Sequence, residues 1–330
     1  TPRRLAVLIP EVREKALDLE HAVEGPASSN KQAVEGFAKK HRVAPESLER
    51  RQTEKGEIVV ARFRMPGVQL DAVLADIVEK AIGKLPVSKL MRWGEGDAQF
   101  VRPVHGLVML HGAHEIPGTV LGVASSSTTR GHRFMGARSI ALKNADEYEA
   151  RLREEGMVIA DFAARRAEIE RQLAAEAQLQ GAALGDYENL LEEVTALVEY
   201  PSVYAGSFEP KYLAVPQECL ILTMRQNQKY FPLFDAAGRL VPKFLIVSNM
   251  RVADPRPIIV GNERVVGPRL EDARFFYDQD RKTRLEARVP ELAKVVYHNK
   301  LGTQLERVQR IQLLAGRIAR ELKADAALAE

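Results

Sequence analysis

Apolar residues alternate with polar ones through Leu5, Val7 and Ile9 and again at Leu17 and Leu19, the period of half-buried strands. Asn30 stands where a helix cap is wanted, ahead of Ala33, Phe37 and Ala38 on one helical face. Residues 48–64 read as a hairpin turning at Glu54-Lys55-Gly56. Leu70, Val73, Leu74, Ile77, Val78 and Ala81 follow at i, i+3, i+4 spacing, which predicts an amphipathic helix closed by Gly83. Residues 99–123 predict two strands about a turn at Gly112 to Glu115, followed by the polar loop Ser125 to Arg133.

The stretch 145–180 is rich in Ala, Glu, Arg and Leu and free of Pro, a helical insert. Beyond Tyr187 the pattern mixes again: a helix to about Leu197, a strand near 200–207, a helix from Pro216, and a hairpin turning at Asp235 to Gly238. After Asn249 the sequence is helical and Arg-rich with no strand signal. The expectation is an α+β body, divided as 1–82 and 83–250, followed by the start of an all-α part at 251–330. Gly25 to Ser29 is the best candidate for a joint.

Composition adds limits. At 330 residues the chain is long enough for two or three cores. No apolar run approaches the roughly 18 residues of a membrane span. The opening Thr1-Pro2-Arg3-Arg4 lacks the apolar core of a signal peptide and reads as the middle of something longer. A single cysteine, Cys219, excludes an internal disulfide framework and fits a reducing, cytoplasmic setting. It sits at an apolar helix start, where a buried, inert thiol is expected. Trp93, the only tryptophan, is expected in a core or interface.

Net charge is only +3, but residues 88–143 carry seven Lys/Arg against three Asp/Glu, and 144–250 carry ten against seventeen. That unevenness suits a polyanion partner, or two subunit faces of opposite sign. His111 and His114 lack the Cys or paired carboxylates of a metal set, so no metal is expected. No Walker-type phosphate loop occurs, so no nucleotide chemistry and no catalytic residue is expected on this chain. The loop Thr128 to Phe134 is different: Arg130, His132 and Arg133 flank Gly131, a set that suits phosphate, or else braces the strand ends through ion pairs. Gln228-Lys229-Tyr230-Phe231-Pro232 has two readings as well, a base-stacking platform or an aromatic strand packed in a sheet.

Several blocks in fixed order carry a resemblance. They are Lys84-Leu85-Pro86-Val87-Ser88-Lys89-Leu90-Met91-Arg92-Trp93-Gly94 with Phe100 to His105, then Thr129-Arg130-Gly131-His132-Arg133-Phe134. Leu191 to Val194 with Glu199-Tyr200-Pro201, Thr223-Met224-Arg225 with Gln228 to Pro232, Gly261 to Val266, Arg269 to Ala273 and Lys300 to Thr303 complete the set. The chain resembles the β subunit of bacterial two-subunit glycyl-tRNA synthetases. That resemblance implies an assembly of two α and two β chains. The α subunits use ATP and Mg to activate glycine, the β subunits bind tRNA-Gly, and no cofactor belongs to this chain.

The resemblance also implies a body like the editing-type module of phenylalanyl-tRNA synthetase and, from residue 251, an HD-like helical domain, although no His-Asp dipeptide is present. With tRNA as the implied partner, the basic stretch 88–143 and its densest cluster make Arg92, Arg130, His132 and Arg133 the residues expected to meet RNA. Departures from the family pattern are a first domain entered partway, a shortened Gly25 to Asn30, an end early in the helical domain, and Gly267 where Arg is common. Two other functions stay open: a scaffold for the α subunit without RNA contact, and an editing-type hydrolase of mischarged tRNA.

Overall fold

A computed structural model describes residues 1–53 and 56–325. The Glu54-Lys55 part of the expected turn lies outside the described residues. The chain divides into two compact units, Thr1–Arg165 with Ala196–Tyr200, and Arg166–Thr195 with Pro201–Glu330.

The first unit opens with an antiparallel sheet of β1 (Leu19–Ala27), β2 (Glu49–Thr53) and β3 (Gly56–Met65), in the order β1-β3-β2. The helix Lys31–His41 covers it, and the Asn30 side chain accepts from the Ala33 N–H at 3.1 Å, as the sequence predicts. Gly25 is required here: a Cβ would stand 2.6 Å from the Phe37 ring.

The segment Leu5–Ile9 is not a strand. Its alternation finds no neighbouring strand to pair with among the described residues, and its side chains are exposed, Val7 to 84%. The helix Leu70–Gly83 forms as its periodicity predicts but buries none of its residues fully. Where the sequence predicts two strands over 99–123, the structure has short two-residue ribbons, Met91–Arg92 with Gln99–Phe100, Leu110–His111 with His114–Glu115, and Thr119–Val120 with Val123–Ala124. A local core of Ile140, Leu142, Leu152 and Val158 lies under the ribbon Thr128–Thr129 with Ile140–Ala141. Trp93 is half-buried, not a core anchor, because its ribbon carries exposed Met91 and Arg92 and turns at Gly94 (φ +62°).

The second unit is built on a four-stranded antiparallel sheet in the order Ala183–Leu184, Phe231–Phe234, Leu240–Ser248, Ser202–Ser207. Its core joins Phe244 of that sheet to Leu220 and Met224 of the helix Gln217–Gln228 and to Val266 and Leu270 of the helix Arg256–Asp280. After Asn249 the chain is not purely helical: Val296–His298 and Gly302–Thr303 pair as a ribbon. Val295, Val296 and Tyr297 favour extended backbone, and Gly302 (φ +89°) makes the turn. The last helix, Gln304–Glu321, starts with a capping box between Thr303 and Glu306.

Cys219 is exposed, against the expectation of burial. On the helix Gln217–Gln228, Leu220 and Met224 share the inner face at i, i+4, which leaves position 219 a step away toward solvent. The native thiol should therefore react with a bulky maleimide about as fast as the denatured chain does. Protection of a hundredfold or more would place it inside.

Candidate functional site

The loop 130–139 is closed at its base by the ribbon Thr128–Thr129 with Ile140–Ala141. Within it the Gly131 N–H donates to the Ala137 carbonyl at 2.8 Å and the Gly136 N–H to the His132 carbonyl at 3.0 Å. Two more bonds tie it to the end of the helix Tyr148–Glu154: His132 N–H to the Gly156 carbonyl at 2.6 Å, and Ala137 N–H to the Glu155 carbonyl at 2.9 Å. The backbones approach closely because glycine stands on both sides. A Cβ on Gly136 would lie 2.0 Å from the Gly156 oxygen, and one on Gly131 would lie 2.6 Å from the Gly156 Cα.

His132 is only 3% exposed. Its Nδ1 lies 3.3 Å from the backbone N–H groups of both Phe134 and Met135 and accepts from them, so the imidazole organises the loop tip from inside. Arg4 fixes the outer end. Its Nη1 donates to the Arg130 carbonyl at 2.9 Å and its Nε to Oε1 of the fully buried Glu199 at 2.8 Å. Arg165 is also buried and donates to the carbonyl oxygens of Ile159 at 2.6 Å and Ala160 at 3.1 Å. Burial lowers its pKa, opposed by the charges of Asp161 and Glu199.

What this frame presents outward is positive. The side chains of Arg130, Arg133 and Arg138 are exposed, and no carboxylate pairs with any of them among the described residues. The expected alternative, in which arginines brace the strand ends through ion pairs, therefore has no acid to use; His132, Arg4 and the glycines do the bracing. Phe134 is also exposed, at 69%, with the Arg133 guanidinium 5.8 Å from its ring centre. Arg92 stands on its own ribbon, Met91–Arg92 with Gln99–Phe100, with its Nη1 3.4 Å from the fully exposed Asp97. The sequence shows Arg130, His132 and Arg133 as one cluster. It hides Arg4 and Glu199, which reach the loop from 126 residues before it and through a bond spanning 195 residues.

Elsewhere the chemistry is sparse. His111 Nε2 lies 2.7 Å from the Val12 carbonyl, whereas His114 Nε2 lies 2.9 Å from Asp71, which raises the His114 pKa. No group of three metal-binding side chains occurs among the described residues. Tyr230 and Phe231 are buried in the second unit, which decides against a base-stacking platform, and of this segment only Phe231 and Pro232 are in the strand, Gln228 ending the preceding helix. No helix among the described residues is long and apolar enough to cross a membrane.

The family model described as glycyl-tRNA synthetase beta subunit matches residues 1–330. The glycine–tRNA ligase beta subunit of Aromatoleum aromaticum is 57% identical over 342 residues, covering 99% of this chain and 49% of that protein. The protein of the same name from Neisseria meningitidis is 49% identical, over 100% of this chain and 49% of its own. That of Serratia proteamaculans is 46% identical, over 98% and 48%. The chain thus spans about half the length of the curated relatives it matches. By the extent and identity of these matches, the chain belongs to the glycyl-tRNA synthetase β-subunit family.

Proposed function

We propose that this chain is the tRNA-binding and assembly part of a glycine–tRNA ligase. In this reading a partner α subunit performs the ATP- and Mg-dependent activation of glycine in an α2β2 assembly in the cytoplasm, and the present chain contributes no catalytic group. The body is read as related to the editing-type module of phenylalanyl-tRNA synthetase, and the segment from 251 as the beginning of an HD-like helical domain that also carries the ribbon 296–303. One observation carries the RNA role: a loop pinned from behind by glycine packing, His132 and Arg4 holds three guanidiniums outward with no acidic partner. A planar guanidinium donates two parallel hydrogen bonds to a phosphate, and a rigid frame lowers the entropy lost on binding. Arg130 and Arg133 are assigned to the phosphate backbone, His132 to shaping the loop that presents them, and Arg92 to a separate, outlying contact.

Phosphate contacts carry no sequence information, so Arg130→Ala with Arg133→Ala should weaken tRNA-Gly and unrelated tRNA alike. The double variant should also flatten the dependence of log affinity on log salt by about one unit per phosphate lost. The measurement is tRNA affinity of the complete assembly at several salt concentrations, with a melting curve on the same protein. An unchanged slope would refute the assignment. The scaffold reading gains from the exposed apolar run Leu5–Ile9, a surface suited to a protein neighbour. Hydrolysis of mischarged tRNA is tested in the same material by following deacylation.

A further inference from the structure

We infer that Phe134 is a stacking platform for an unpaired RNA base, so that the loop recognises a single-stranded nucleotide and not the backbone of a duplex alone. This rests on the RNA reading above and deepens it. Ile140 and Leu142, just beyond the loop, are buried, and Met135 and Ala137 within it are half-buried, while Phe134 stays 69% exposed. A loose loop would fold such a ring away. Here the Nδ1 of buried His132 accepts from the Phe134 N–H itself, at 3.3 Å, and four backbone bonds fix the residues on either side, so the ring is held out by its own main chain.

The chemistry around the ring selects the partner. No Asp or Glu occurs between Arg130 and Lys143, and Arg130, Arg133 and Arg138 surround the tip in sequence with exposed, unpaired charge. An apolar pocket on a protein would gain from the ring alone and would have to supply carboxylates for three arginines. A nucleotide supplies both parts in one unit, a π-face for Phe134 and a phosphate for the neighbouring guanidinium. Arg133, 5.8 Å from the ring centre, already approaches the geometry of a cation over an aromatic face, and a base on the opposite face would complete the sandwich. Every base has such a face, so the site tells unpaired from paired nucleotides without reading sequence.

The test uses the full-length subunit in its complex and two probes: a single-stranded RNA oligomer carrying 2-aminopurine, and a blunt RNA duplex of the same length. Stacking on Phe134 should quench the 2-aminopurine fluorescence. Phe134→Leu, which keeps apolar bulk and loses the π-face, should abolish the quench and weaken the single strand roughly tenfold to a hundredfold. The duplex affinity and the salt slope should stay as in the wild type, and Phe134→Tyr should behave as wild type on both probes. Equal binding of the single strand by Phe134→Leu and wild type, with Arg130→Ala and Arg133→Ala still weakening it, overturns the stacking role and leaves the RNA reading standing. If neither the Phe nor the Arg variants change affinity, both fall together. Normal RNA binding by Phe134→Leu with poorer assembly of the complex would assign the ring to a protein partner instead. Melting curves accompany each variant, and a loss shared by Phe134→Tyr would also count against stacking.

Discussion

Glu199→Ala should lower the stability of the first unit by roughly 3–5 kcal/mol, the usual cost of removing one partner from a buried ion pair. Glu199 is fully buried, and its Oε1 accepts from the Arg4 Nε at 2.8 Å and from the Thr1 hydroxyl at 3.0 Å. Truncation leaves the Arg4 guanidinium, only 15% exposed, without its counter-charge, and removes one of the two negative charges that offset the burial of Arg165. Glu199→Gln keeps an acceptor and should cost less. Trp93 is the only tryptophan and lies in the same unit, so its fluorescence during denaturant unfolding reports the change. Arg4 also holds the Arg130 carbonyl at 2.9 Å, so the Ala variant should bind tRNA more weakly even well below its unfolding midpoint. A stability loss under about 1 kcal/mol would show the pair to be marginal despite its burial.

In the second unit the largest effect should follow Phe244→Ala, again roughly 3–5 kcal/mol, from lost transfer energy plus the cavity left behind. The Phe244 ring is fully buried and stacks on Tyr230 with ring centres 4.6 Å apart. A Cβ at Gly206, the residue opposite on the neighbouring strand, would meet this ring at 2.8 Å, so the fit is tight from both sides. Tyr230 supplies a second readout. Burial pushes its phenol up to about 12, against a weaker opposing influence of Arg269, and its hydroxyl donates to Asn262 Oδ1 at 2.7 Å. An acid whose folded pKa is raised contributes stability that is intact below its unfolded value near 10 and is lost as pH climbs toward 12. Opening the cavity should bring the Tyr230 titration down toward 10, measured by phenolate absorbance. A variant that melts like the wild type, with that titration unmoved, would show that neighbouring side chains close the gap completely.

The sequence by itself determined those elements whose signals are local. The helix Leu70–Gly83 follows from apolar spacing, the helix Lys31–His41 from the reach of Asn30 to an N–H three residues on, and the Arg130-Gly131-His132-Arg133 cluster is contiguous. The ordered blocks from Lys84 to Thr303 carried the family, because they specify residue identity and not merely periodicity. Two expectations failed for one reason: burial and strand pairing belong to neighbours distant in the chain. Leu5–Ile9 has the alternation of a strand and no strand beside it, and Cys219 sits in an apolar run on the side of its helix that no core meets. The ribbon 296–303 escaped a reading dominated by arginine-rich helix signal, although Val295 to Tyr297 and Gly302 carried its chemistry.

The candidate site divides in the same way. That Arg130, His132 and Arg133 share one loop was legible, but their separate roles were not. His132 turns inward because Gly131, Gly136 and Gly156 let two backbone segments meet, a contact that joins residues about twenty apart. Arg4 and Glu199 support the loop from positions that no spacing rule connects to it. Residue types fix which groups can bind an anion; only the folded chain decides which of them are spent on one another and which remain directed at solvent, because that depends on where the nearest opposite charge and the nearest backbone come to rest.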